Sequence, residues 1–192
     1  MVRLFRRYKS HYEKQGKTER CIDDEIPFEI PDSWVWVRLG EICNIIMGQS
    51  PDGNSVSINS IGIEFHQGKS YFSDYIILDS QIKTSKPSKI SPKDSILLCV
   101  RAPVGKVNIT NREICIGRGL CCLKPFLNMP INFFFYSLLA YEKIFIKQAT
   151  GTTFKAIQEK VISDQYFPLP PLSEQNRIIV NIDALLSLFD KI

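Results

Sequence analysis

Arg101, Lys106 and Arg118 are the side chains of this 192-residue chain whose type and setting suit specific chemistry. Arg101 and Lys106 flank the turn Ala102-Pro103-Val104-Gly105, and Arg118 stands between Gly117 and Gly119. A guanidinium held on a tight turn can meet a phosphate or a guanine edge through two parallel hydrogen bonds. Arg118 could equally serve the fold, by pairing Glu113 or a backbone carbonyl. All three belong to residues 83–118, where eight Lys and Arg stand against Asp94 and Glu113, a net of +6. Such a stretch creates a local positive field, or is only a solvated lysine-rich loop.

Uncharged groups of the same kind lie elsewhere. Gln49, Ser50 and Asn54 sit on the turn-rich segment Gly48-Gln49-Ser50-Pro51-Asp52-Gly53-Asn54. A carboxamide there can read adenine in a major groove, or the segment is a plain exposed turn. Lys69, with His66 and Gln67 nearby, adds one more cation. Gly151-Thr152-Thr153 and Lys155 precede a short helical pattern through Ile157 to Val161. Hydroxyls and free backbone N–H groups at that point suit a phosphate-sized anion, or one threonine simply caps the helix.

Catalysis finds little support in these residues. The only histidines are His11 and His66, and neither adjoins a plausible serine or cysteine nucleophile. No nucleotide-binding glycine fingerprint, phosphate loop or methyltransferase-type Asn/Asp-Pro-Pro-aromatic motif occurs. The six cysteines form no C-x-x-C pair, and several lie in apolar runs such as Leu120-Cys121-Cys122-Leu123. They read as small buried hydrophobes, not as zinc ligands or disulfides. No metal and no cofactor is expected. The absence of an apolar leader or of a run near 20 apolar residues points to a reduced, cytoplasmic protein with no membrane partner.

The elements that must position these groups follow from pattern. Composition is ordinary, with 44% apolar and 23% charged residues, so a packed core is expected. The net charge of +4 is too small to describe a protein that coats DNA by charge alone. Residues 1–25 read as a basic lead-in, where Phe5, Tyr8 and Tyr12 at i, i+3 and i+7 also permit a helix with an aromatic stripe. Ile26–Ser33 carries two prolines and reads as an extended strap. A strand at 35–37 and a helical turn at 39–43 follow. Short apolar runs at 61–66, 95–101, 104–110, 113–116 and 119–124 suggest a twisted, partly closed antiparallel sheet. One buried helix is expected over 131–148, stopped by Gly151. A second proline strap at 167–171 leads into a last helix beginning at Leu172 or Ser173. Ile178, Ile182, Leu185, Phe189 and Ile192 are spaced 4, 3, 4 and 3, an a/d seam that suits association with another helix. The fold class is α+β, with domains at 26–170 and a C-terminal helix at 171–192.

The motifs together resemble a known family. Ile26-Pro-Phe-Glu-Ile-Pro-Asp-Ser-Trp-Val-Trp-Val-Arg-Leu-Gly-Glu-Ile-Cys43 looks like the opening of a target recognition domain of type I restriction-modification specificity subunits. Ser91–Lys106, Ala149–Ile157 and Leu169–Ile179 are similar to that family's central strand and C-terminal signatures. The resemblance runs in order from about 26 to 192. It implies a non-catalytic DNA-recognition domain that reads one half of a bipartite site on double-stranded DNA. It also implies partners: modification subunits that methylate adenine, and restriction (motor and nuclease) subunits that join them. A full specificity subunit has two recognition domains separated by two long helices. This chain has one domain and one short helix, so it reads as a half-subunit that forms a homodimer through its C-terminal helix, as a broken gene, or as a fragment. The alternative is a protein-interaction module or degenerate remnant whose basic patch is incidental.

Overall fold

The computed structural model describes residues 2–58, 61–151 and 155–189. The chain divides into two compact units, one made of Met1–Ile42 with Asp164–Ile192 and the other of Cys43–Ser163. In chain order, the first unit begins with β1 (Val2–Arg7), β2 (Ser10–Gln15), β3 (Thr18–Cys21), β4 (Val35–Arg38) and α1 (Leu39–Ile42). The second unit holds β5 (Cys43–Met47), β6 (Val56–Ser57), β7 (Ile63–His66), β8 (Lys83–Thr84), β9 (Ile90–Ser91) and β10 (Ser95–Cys99). It continues with β11 (Val107–Thr110), β12 (Ile114–Ile116), β13 (Leu120–Pro125), α2 (Ile131–Ala140), α3 (Glu142–Gln148) and α4 (Glu159–Ser163). The chain then returns to the first unit with β14 (Tyr166–Leu169) and α5 (Leu172–Phe189).

The first unit overturns the helical reading of residues 1–25. They form an antiparallel meander, β1-β2-β3, in which Phe5 is the cross-strand partner of Tyr12. Their rings stack with centroids 5.7 Å apart, and the Arg7 guanidinium lies over both. Tyr8 sits at the hairpin turn with φ of 57° and is exposed. The carboxylate of Glu13, on β2, is buried and holds Arg20 Nε at 2.8 Å and Arg38 Nε at 3.0 Å. Burial works against that charge, but hydrogen bonds and charge from Arg38 and Arg20 outweigh it and keep the carboxyl below its usual range. Arg38 in turn lies over the Tyr166 ring, 4.7 Å from its centroid, so the ion pair joins β2 to β4 and β14. Beneath it pack Ile22, Ile30, Trp36 and Tyr166. The second proline strap is partly a strand: Pro168 lies in β14, which pairs only with β4, so its missing N–H disrupts no inner ladder.

The second unit contains two sheets. One has the order β11-β10-β13-β5 and is antiparallel throughout. The other has the order β6-β8-β7-β12-β9, in which β7 and β12 run parallel. All five residues of β10 are buried, as its unbroken apolar run demands. Ile77, Leu97, Cys99, Ile114, Ile116, Leu120 and Cys122 form the core between strands. The strands expected in this unit are present, and β5, β6, β8 and β9 are additional. The expected single helix over 131–148 is broken at Tyr141, whose N–H bonds back to the Leu138 carbonyl at 3.1 Å, separating α2 from α3.

Candidate nucleic-acid interface

Four strand ends meet at one edge of the second unit, and close backbone approach holds them there. The Gly48 N–H, just past β5, donates to the Leu120 carbonyl at 2.9 Å. A Cβ on Gly48 would stand 2.2 Å from the Gly117 carbonyl oxygen, so only glycine fits. On the facing turn, a Cβ on Gly119 would meet the Gln67 carbonyl oxygen at 2.5 Å. The Gly117 N–H donates to the His66 carbonyl at 2.8 Å. The Val100 N–H, just past β10, donates to the Gly119 carbonyl at 2.9 Å, so the ends of β5, β7 and β10 and the β12–β13 turn are locked against one another.

This edge carries an open cleft of about 380 Å³ lined by Gln67, Lys69, Ser70, Arg101, Pro103 and Arg118, among others. No carboxylate lines it. Lys69, Arg101 and Arg118 are exposed, and the two arginine side chains make no hydrogen bond or ion pair among the described residues. The expected alternative for Arg118, a pairing with Glu113, does not occur. Cys99 forms part of the wall. Burial pushes its thiol up to about 12, against the pull of Lys69 and Lys106, so it is a neutral surface and not a nucleophile.

The other expected residues divide. Gln49 is exposed beside the Arg118 turn, with its N–H donated to the Ile116 carbonyl at 3.0 Å. Ser50 Oγ donates to Gln67 Oε1 at 3.4 Å. Asn54 lies farther along the same loop, in a short 3₁₀ turn capped by Asp52 Oδ1. Lys155 is exposed and precedes Ala156, which pairs with both Thr150 and Arg101. Thr152 and Thr153 lie outside the described residues. The helix they were expected to cap begins only at Glu159, because Thr150 and Ala156 exchange two backbone hydrogen bonds and close a loop first.

Lys106 is not part of the cleft lining; its ammonium holds Glu142 Oε1 at 2.9 Å. His66 is buried and donates through Nε2 to the ionised Glu64 carboxylate at 3.0 Å, which removes it from any surface role. Gln67, given little weight from sequence, is in the cleft; its signal was only its place between a strand and a glycine. Among the described residues no group of three His, Cys, Asp or Glu is arranged to hold a metal. None of their helices is long and apolar enough to cross a membrane.

The family model described as the type I restriction modification DNA specificity domain matches residues 31–191. The chain belongs to this family. A similar relative is the MjaX type I restriction enzyme specificity subunit of Methanocaldococcus jannaschii, 41% identical over 84% of this chain and 39% of that protein. A solved HsdS subunit from Thermoanaerobacter tengcongensis superposes with a TM-score of 0.75 at 38% identity, over 84% of this chain and 39% of the other. A chain from a solved type I R-M system, described for its complex assembly and conformational transition, gives 0.76 at 38% identity over 85% and 41%. The α+β fold of antiparallel sheets with a C-terminal helix is that of these specificity-domain structures. The chain spans between a third and two fifths of the length of the curated relatives it matches.

In α5, Ile178 and Ile182 are half-buried, while Leu185 and Phe189 are 58% and 71% exposed. Val180, Leu186 and Leu188 are exposed as well, and Ile192 lies outside the described residues.

Proposed function

We propose that this chain is the DNA-reading half of a type I restriction-modification specificity subunit, recognising one half of a bipartite site on double-stranded DNA. The cleft of Lys69, Arg101 and Arg118, with no carboxylate in its lining, carries this reading in a member of the specificity family. Concave basic surfaces with low-dielectric walls focus field and draw a polyanion. Gln49 and Ser50 stand beside the cleft and add to the contact set, and Asn54, Lys155, Thr152 and Thr153 are its further candidate members. The chain itself is non-catalytic. Methylation of adenine belongs to modification subunits bound to it, and cleavage to restriction subunits that join through the complex. The exposed apolar side chains of α5 suit either a second copy of this chain, giving a homodimer, or docking of the modification subunit.

The experiment is co-expression of the chain with its modification subunit in a host lacking other adenine methylation, followed by mapping of methylated adenines. One recurrent bipartite motif, absent without the chain, is expected. A symmetric motif favours the homodimer, and an asymmetric one a second recognition domain from elsewhere. Methylation without sequence preference would leave the chain as an interaction module with an incidental basic patch.

A further inference from the structure

The cleft and the turn beside it separate groups suited to grip DNA from a group suited to read it, an inference that rests on the DNA-reading role proposed above. Two other cations of the basic stretch are already engaged, Lys106 by Glu142 and Arg112 by Glu64 and Asp79, and Lys83, Lys86, Lys89 and Lys93 do not line the cleft. Arg101 and Arg118 have no such partner among the described residues, and they share one concavity with Lys69. Three like charges on one concave surface repel, and they gain most from a full negative charge placed among them. A guanine edge offers only partial charges to such a cluster. A DNA phosphate offers a whole one, with two oxygens in the geometry a guanidinium fork fits. The crowded glycines hold the turn of Arg118 in place, so little ordering is left for binding to supply.

Gln49 is set differently. Its backbone is held on both sides, with the N–H on the Ile116 carbonyl at 3.0 Å and the carbonyl accepting from Ser88 Oγ. Its side chain is exposed and makes no hydrogen bond among the described residues. A fixed backbone carrying a free carboxamide presents one donor and one acceptor, the pair that adenine N7 and N6 require in the major groove. Gln67, its neighbour, already has its Oε1 engaged by Ser50. We propose that Lys69, Arg101 and Arg118 grip one backbone phosphate, and that the Gln49 carboxamide reads an adenine beside it.

The test uses the full chain in complex with its modification subunit. A pool of randomised duplexes is selected on the complex, and the best duplex and its single-position variants are titrated by fluorescence anisotropy at several salt concentrations. Lys69→Ala, Arg101→Ala and Arg118→Ala should each weaken every duplex by the same factor. Each should also reduce the slope of log affinity against log salt by a part of 1, and the three together by about 1, the share of one phosphate. Arg118→Lys should restore that slope. Gln49→Ala should leave the slope alone and flatten an adenine preference at one position, by roughly 10-fold. Unchanged thermal melting of each variant shows that a loss is one of contact. If Arg118→Ala instead erases a guanine preference at one position, or changes nothing, the phosphate assignment is wrong. If Gln49→Ala weakens all duplexes alike, or none, the adenine assignment is wrong. A wild-type complex that enriches no sequence overturns the DNA-reading role itself.

Discussion

Arg112 and Arg118 lie on either side of one short strand, β12, and end in opposite settings. Arg112 reaches Glu64 at 2.7 Å, Asp79 at 2.8 Å and the carbonyls of Ile77 and Leu78 at 3.2 Å each. Arg118 reaches nothing of the kind among the described residues. The sequence offers no means of telling them apart, because the partners of Arg112 come from β7 and the loop before β8. The Glu64 network is structural. Burial raises the cost of its charge, but Arg112, His66 and the Ser80 N–H together hold the carboxyl down to about 2 from an ordinary 4.5. A carboxyl depressed on folding stabilises above its unfolded value and loses that contribution as pH falls toward the folded one. Glu64→Gln should therefore cost roughly 2–3 kcal/mol at pH 7. More than half of the difference from wild type should be gone by about pH 3. Urea unfolding of both proteins at the two pH values checks it; a gap that does not shrink would place the stabilisation elsewhere.

Among the elements, legibility followed the length of the apolar run. β10 and β13 carry continuous buried segments and were readable, as was α5 from its 4-3-4-3 spacing. Strands of two residues, β6, β8 and β9, have no pattern to read. β5 was hidden because α1 passes into it at Cys43 with no turn residue between. The meander at the start misled for a geometric reason. A two-residue hairpin turn between β1 and β2 brings Phe5 opposite Tyr12, and seven residues apart is also two turns of a helix. The cleft was half legible: Arg101 and Arg118 stood out by type and turn context, with Gln49 on the turn-rich segment beside it, while Lys69 was only one more cation. That Lys106 would leave for Glu142 depended on where α3 begins, which the break at Tyr141 decides. For α5 the spacing leads to a direct test. Leu185→Asp with Phe189→Asp should abolish self-association, or docking of the modification subunit, and leave the sheets folded. Burying two such side chains at a helix seam contributes roughly 3–6 kcal/mol, enough to decide assembly. Light scattering on the chain and on the complex measures it, and an unchanged mass in both would rule the seam out.

At the scale of the whole molecule, the net charge of +4 conceals its own arrangement: residues 21–82 are strongly acidic and 83–118 strongly basic. Part of that basic charge is cancelled inside the fold, and two of its arginines, Arg101 and Arg118, meet Lys69 in one cleft. The described residues supply one such cleft and the chain spans about two fifths of the MjaX relative, so the proposed reading of a bipartite site calls for a second recognition domain, in another copy or elsewhere. If two copies join through α5, each brings its own phosphate contacts, and joining them makes the second binding event intramolecular. On a duplex with two inverted half-sites, the salt slope should then be about twice that on a duplex with one. Five base pairs inserted between the halves turn one of them by about half a helical repeat, so that it faces away from the second cleft. Affinity and slope should both fall to the single-site values. Anisotropy titrations on the original, inserted and single-site duplexes make the comparison. If spacing leaves both quantities unchanged, the halves are read independently and a rigid homodimer is not the assembly that binds DNA.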